Sequence, residues 1–468
     1  MQLRTVCAFT FFAFRNGNHY ADAFHPIANT RTTSHRLNHP SRAKQNFLIG
    51  NNYFFLEEQH RIPTSPYLST KRSTSALNGV ISPLVVWTAS ITATSKILSS
   101  IGYSVLHTSI GPKAFGNILD DDAVKVLSKL IYWIFQPCFL FCTVASTMNT
   151  TYQDGIGGLS HDTLVLMPLA ALIQVGLGSI MAKVLTTKHF SLRSLLLGLD
   201  GNDDDGANDV SMCITFANSG PLPLILSHAL FEGELLSDVT ACISFYLLLW
   251  SPLFWSFGKA ILGLSKGTHD NNEESFVNGI KLFLNPPVLG SISGVAAGSS
   301  PLVQSAILMD DSYFRPFFEI LSNLGSAYLP AAVLVLGGSI VQNKESTTPK
   351  SDWQKSSSSG SQLRTIATLV VTRFVLSPMI AFAIVKYFCM TNLVEDVRTQ
   401  AIVAFTLLLE GSMPPAQNSI ILLQLSDKRD RAENMAKLLS FMYAISAIPV
   451  TVLISFSLAS SDIMQFQQ

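Results

Sequence analysis

Charge is what this chain has least of. Only 13% of its 468 residues are Asp, Glu, Lys or Arg, about half the roughly 25% of an ordinary soluble protein. The 31 basic residues are balanced by 31 acidic ones. Nucleic acid is excluded as a partner, because neutralising phosphates takes a basic surface excess that is missing here. The balance says nothing about small anions. Cysteine is also scarce, with six in all. Cys138, Cys142, Cys213, Cys242 and Cys389 lie in or beside apolar stretches, and Cys7 lies near the N-terminus, so no disulfide framework follows. Cys138 and Cys142 are four apart with no second Cys or His pair, which reads as apolar packing rather than a metal site. No cofactor is implied. Paired membrane aspartates, a Ser/His pair in apolar helices and an HExxH helix are all missing, which disfavours an enzyme.

What the chain has in quantity is apolar sequence. Hydrophobic residues make up 48% of it, and the mean hydropathy is +0.34, so most of it belongs in lipid. Residues 1–78 differ from the rest. Arg4 and the stretch VCAFTFFAF have the length of a signal-peptide core and are too short to span a bilayer. From Phe24 to Leu56 there is no acidic residue, while Arg31, Arg36, Arg42 and Lys44 sit among hydroxyl side chains, a transit-peptide composition. The ADAFHP stretch resembles the bipartite presequences of algae with secondary plastids. A plainly disordered N-terminus is the alternative.

From Gly79 onward the hydrophobic runs are each about 20 residues, enough to cross roughly 30 Å of hydrocarbon as helix. Ten are expected, near 81–105, 124–147, 162–184, 210–231, 237–262, 280–300, 317–341, 363–388, 399–424 and 435–459. Basic residues concentrate in the loops after the odd-numbered spans, which places both termini away from the cytoplasmic or stromal side. The ten divide into two five-helix halves, 79–263 and 280–460, joined by a linker at 264–279 and followed by a tail at 461–468. An odd number per half inverts the second half. Prolines support the division: Pro137 in span two and Pro330 in span seven, then Pro221 and Pro223 in span four and Pro414 and Pro415 in span nine. Inverted halves with matched broken helices point to a secondary transporter with its site near the midplane. The expected fold is thus all-α and polytopic, with crossed, proline-broken fourth and ninth helices.

Span four reads FANSGPLP from Phe216, and span nine reads SMPPAQNS from Ser412. Proline removes an N–H and clashes one turn back, so each helix should open there, in a protein-lined cavity. Half-helix N-termini facing that cavity would offer partial positive charge and free N–H groups to a carboxylate. Asn218 and Asn418 can add side-chain hydrogen bonds.

These two stretches resemble those of the auxin efflux carrier family, and most closely its PIN-like branch. So do GPKAFGNILDDDAVKVLSKLIYWIFQPCFLF from Gly111, LNPPVLGSISG from Leu284, LGSAYLPAAVLVLGGSI from Leu324, RFVLSP from Arg373 and MPPAQNSIILLQL from Met413. The short central linker fits that branch. The resemblance implies ten helices in two inverted repeats, a scaffold and a transport domain with crossing helices, and movement of auxin-like weak acids. It implies Asn218, Pro221, Pro415 and Asn418 as substrate-site residues, with Gln417 beside them, and leaves a homodimer open. Ser219-Gly220-Pro221 after Asn218 departs from the family's commoner pattern, as does Gln417 before Asn418, which puts substrate preference in doubt. The expected partners are a small organic anion and membrane lipid, and the expected membrane is the endoplasmic reticulum or a plastid envelope rather than the plasma membrane. A sodium- or proton-coupled organic-anion carrier of related crossover architecture is the rival.

Two further features belong to the residues themselves. Gly290, Gly294 and Gly298 repeat every four residues, a face open to close helix packing. Glu410, about halfway along span nine, is expensive in lipid. It could bind and release a proton during transport, pair statically with Arg373 in span eight, or mark a misplaced span boundary.

Overall fold

The computed structural model describes residues 87–88, 119–154, 161–187, 193–198, 203–264, 285–309, 312–341, 359–390, 394 and 396–466. The N-terminal segment, nearly all of the first expected span and most of the linker lie outside them. Among the described residues the regular structure is helical, and the one β-type pairing is an isolated bridge.

Helix α1 runs as Asp121–Leu130, a π-helical turn Ile131–Phe135, and Gln136–Asp154; α2 is His161–Thr186, α3 Asp204–Thr215, α4 Pro221–Leu230, α5 Gly233–Ile261 and α6 Pro286–Ser299. Then follow α7 Arg315–Ser326, α8 Tyr328–Val341, α9 as Ser359–Val371, a π-turn Thr372–Leu376 and Ser377–Met390, α10 Val397–Gly411, α11 Asn418–Leu425 and α12 Arg429–Ser461. Among the described residues, six stretches are long and apolar enough to cross a membrane: Asp121–Met148, Val165–Thr186, Gly233–Ile261, Arg315–Ile340, Ser361–Phe388 and Arg429–Ser461. The runs expected at 210–231 and 399–424 are each two short helices, and the run at 280–300 is the 14-residue α6.

Helix starts follow capping chemistry. Asp120, Asp203, Asn285 and Asp396 each accept a backbone N–H from their own first turn, satisfying a donor that the helix cannot. Pro286 at the first position of α6 loses nothing there, since its N–H would have no intrahelical partner. Two prolines inside helices, Pro137 noted from the sequence and Pro378, act through their neighbours. Before Pro137 and Pro378 the chain inserts a π-turn, which absorbs the missing hydrogen bond without ending the helix.

The glycine stripe packs α6 against α1. A Cβ on Gly290 would sit 2.4 Å from the Pro137 carbonyl oxygen, one on Gly294 2.8 Å from that of Phe141, and one on Gly298 2.8 Å from that of Ala145. Backbone therefore meets backbone along three turns, an approach that any side chain would prevent. Elsewhere α2 lies against α3 and α5, and α12 against α8, α10 and α11. Large apolar side chains such as Trp133, Val165, Ile180, Ile448 and Val452 remain exposed on the long helices, as a lipid-facing surface requires.

Candidate functional site

Two breaks meet at the centre of the described helices. α3 stops at Thr215 because Phe216 turns extended, with φ −111° and ψ 119°. The helix resumes only at Pro221, whose ring suits a first helical position because the missing N–H would have no intrahelical partner there. α10 likewise stops at Gly411, and the chain runs unwound to Asn418, where α11 begins. The two unwound stretches lie antiparallel, with Ala217 opposite Pro415. The Asn218 N–H donates to the Pro414 carbonyl at 2.8 Å, and the Ala416 N–H to that of Phe216 at 3.0 Å. Backbone groups freed by one break thus satisfy those freed by the other, which is what makes irregular backbone tolerable far from water. Aromatic rings of α5 bed the crossing: Phe216 packs edge-on to Trp250 and Phe254, which stack on each other at 5.1 Å.

Each expected asparagine is held by a tyrosine. Asn218 Nδ2 donates to Tyr443 Oη at 2.5 Å, and that hydroxyl donates to the Pro415 carbonyl at 3.2 Å. Tyr328 Oη donates to Asn418 Oδ1 at 2.8 Å. Both asparagines are 4% exposed and line a cavity of about 10 Å³, room for one water, together with Gln136, Pro221, Ser251 and Tyr328. Among the described residues, the Gln136 Oε1 and Ser251 Oγ atoms are buried without a hydrogen-bond partner. Asn218, Asn418 and Pro221 are therefore brought together. Pro415 is in the crossing backbone, and Gln417, buried with neither side-chain atom bonded, adjoins it.

One expectation needs correcting. The α4 N-terminus was to offer free N–H groups, yet its first three residues are Pro221, Leu222 and Pro223, so only Leu222 has one. The helix end keeps its partial charge, but hydrogen bonding to a ligand falls to side chains. Gln136, Tyr328 and Tyr443 are the residues that sequence reasoning missed. Only the Gln136-Pro137 pair carried any signal.

On the opposite side of the crossing a second cavity of about 10 Å³ is lined by Gln174, Thr215, Tyr246, Arg373 and Glu410. Glu410 is fully buried, and it lies at the end of the short helix α10 rather than halfway along a continuous span. Its two carboxyl oxygens have no hydrogen-bond partner among the described residues, and the Ser219 hydroxyl is a polar neighbour. The static pair with Arg373 does not form, since no ion pair within 4 Å joins them among the described residues. Arg373 instead donates to the Ile214 carbonyl at 3.2 Å and the Met413 carbonyl at 2.8 Å. Tyr246 donates to Gln174 Oε1 at 2.8 Å.

At the ends of the apolar stretches an ionic layer ties the same elements. Arg431 holds Asp209 at 2.5 Å, Asp205 at 2.9 Å and the Leu262 carbonyl at 3.1 Å. Arg429 pairs with Asp121 at 2.7 Å, and Lys125 with Asp427 at 2.5 Å. The acidic run Asp203–Asp205 thus has structural partners. Asp427 and Asp396, both at the water-facing ends, are held below the usual carboxylate range, Asp427 chiefly by its hydrogen bond from Lys125 and Asp396 chiefly by its hydrogen bonds from Thr399.

Residues 112–454 match the family described as "Membrane transport protein". The chain is 20% identical to Protein PIN-LIKES 1 of Arabidopsis thaliana over 447 residues, covering 85% of this chain and 84% of that protein. It is 22% identical to Protein PIN-LIKES 7 of the same plant over 389 residues, 72% of this chain and 89% of that protein. An uncharacterized transporter of Schizosaccharomyces pombe is 24% identical over 431 residues, with 72% and 89% coverage.

Proposed function

The chain belongs to the membrane transport protein family, a family of transporters rather than enzymes, and on that premise we propose that it carries small organic anions, auxin-like weak carboxylic acids, across an intracellular membrane. The observation that carries the reading is the crossing of two proline-broken helices beside Asn218 and Asn418. A carboxylate there would meet amide donors from Asn218, Asn418 and Gln136, with Tyr328 holding Asn418 in place, backed by the partial positive charge of the α4 and α11 N-termini. Pro221 and Pro415 keep the two breaks open, and Gln417 supplies a further uncommitted amide. The proposed arrangement is ten helices in two inverted five-helix repeats, with one bundle moving against the other. A homodimer would leave the site unchanged, because every residue named comes from one chain. The endoplasmic reticulum or a plastid envelope is the proposed membrane.

A proton-coupled version of the carrier is favoured by Glu410, a buried carboxyl with no hydrogen-bond partner, one turn from the crossing. Proton uptake there would be coupled to anion movement.

Reconstitution in liposomes with radiolabelled indole-3-acetic acid tests both. Uptake that requires a proton gradient and disappears in Glu410→Gln supports coupling, whereas uptake driven by membrane potential alone refutes it. Asn218→Ala and Asn418→Ala are each expected to lower uptake about tenfold, the worth of ~1.4 kcal/mol of lost hydrogen bonding to a charged group. Normal transport by both would remove the site assignment, and no uptake under any gradient would point to a different organic anion.

A further inference from the structure

The two broken helices present opposite ends to the two sides of their crossing. On the Asn218 side α4 and α11 begin; on the Glu410 side α3 and α10 end. A helix carboxyl end carries roughly half a negative charge on carbonyls that no further turn can satisfy. Two such ends converge here. The N–H that would bond the Ile214 carbonyl, four residues on at Asn218, is spent on Pro414 instead. In carriers built on interrupted helices, such carbonyls are where a dissociable cation is held.

Here the place is taken by a side chain. Arg373 is 2% exposed, and its two terminal nitrogens reach one carbonyl from each break, Ile214 in the last turn of α3 and Met413 in the unwound stretch two residues beyond α10. The π-turn Thr372–Leu376 puts it there, projecting from a helix that otherwise packs on α10. Its single positive charge matches the two half-charges. The remaining oxygens round the cavity, both of Glu410 and the Thr215 hydroxyl, are buried without hydrogen-bond partners among the described residues, with the Ser219 hydroxyl a polar neighbour of Glu410. With the guanidinium removed, Ile214 and Met413 carbonyls, Thr215 and Glu410 would make an oxygen-only set of the kind hard cations prefer.

We propose that Arg373 is a built-in cation that neutralises the carboxyl ends of both broken helices, so that the protein works without sodium and acquires a sodium site when that charge is lost. The inference rests on the carrier reading for its consequence, sodium-independent transport, but its main test does not need a transported substrate. It narrows the coupled alternative to the proton.

The test compares thermal unfolding of detergent-purified wild type, Arg373→Gln, Arg373→Lys and Arg373→Ala in sodium chloride against choline chloride, whose cation is too large for the cavity. Arg373→Gln keeps amide donors for the two carbonyls but not the charge. It is expected to gain a saturable sodium-dependent rise in Tm of about 2 °C, as is Arg373→Ala, while wild type and Arg373→Lys show none. Adding Glu410→Gln to Arg373→Gln should abolish the gain. Sodium stabilisation of wild type, or Arg373→Gln behaving like wild type, would overturn the proposal. If Arg373→Ala fails to fold, Arg373→Gln decides. A sodium gain in Tm without indole-3-acetate uptake by any variant would leave this inference standing and the substrate reading refuted.

Discussion

Replacing Gly290 with alanine should pry α6 from α1 and disturb the site at a distance. The new methyl would lie 2.4 Å from the Pro137 carbonyl oxygen, 2.7 Å from its Cα and 2.9 Å from its carbonyl carbon. Ordinary carbon contacts begin near ~3.5 Å, so the helices must separate locally by roughly 1 Å. The obstacle is backbone, which cannot rotate away as a side chain could. Overpacking of this kind costs about 1–3 kcal/mol, read as a fall of a few degrees in Tm in detergent. Because Pro137 follows Gln136 directly, the displacement also reaches the cavity beneath Asn218 and Asn418, and uptake should fall with stability. Gly294→Ala, at 2.8 Å from the Phe141 carbonyl, should cost less. Ala296→Leu, on the exposed face of the same helix, should stay within ~0.5 kcal/mol of wild type. Wild-type Tm and uptake in Gly290→Ala would refute the close backbone packing of α1 and α6.

Two further outcomes follow from the water-facing ends of the helices. Asp396 caps α10 with a pKa held below its ordinary 3.8, so its contribution is present above the unfolded value and lost as pH falls through the folded one. Asp396→Ala should cost about 0.5–2 kcal/mol at pH 7, and its deficit against wild type should shrink in unfolding scans taken below about pH 4; a deficit independent of pH would contradict the assignment. Arg431→Ala frees Asp205, Asp209 and the Leu262 carbonyl at once, and should lower stability by about 1.5–3 kcal/mol, less so if Asp209 is also changed to Asn. Additive losses in that double variant would show that the two residues are not coupled.

Much of this molecule is written in local sequence, because membranes and helix breaks act locally. Twenty apolar residues must become helix in lipid, since no water there can satisfy free backbone groups. Two adjacent prolines, Pro414 and Pro415, open the chain between α10 and α11, whereas the single Pro168, Pro252 and Pro449 sit inside continuous helices. The spacing of Gly290, Gly294 and Gly298 already declares a face for close approach, since four residues nearly complete one turn. Asn285 and Asp396 announce helix starts for the same kind of reason, an oxygen placed where an N–H is left over.

Tertiary structure alone decided partners that lie far apart in the chain. Tyr443 and Tyr328 hold Asn218 and Asn418 across 225 and 90 residues, distances over which no periodic pattern carries information. Nothing local distinguishes an Arg373 that pairs with Glu410 from one that caps two helices, because the choice depends on where a π-turn rotates the side chain and where two other helices end. The ion pairs of Arg431 and Arg429 are likewise set by which helix ends the fold gathers on one side. The chain specifies which of its helices break, because that depends on the residue types at each position. Which charges those breaks require, and which residue meets them, exists only once the two breaks cross.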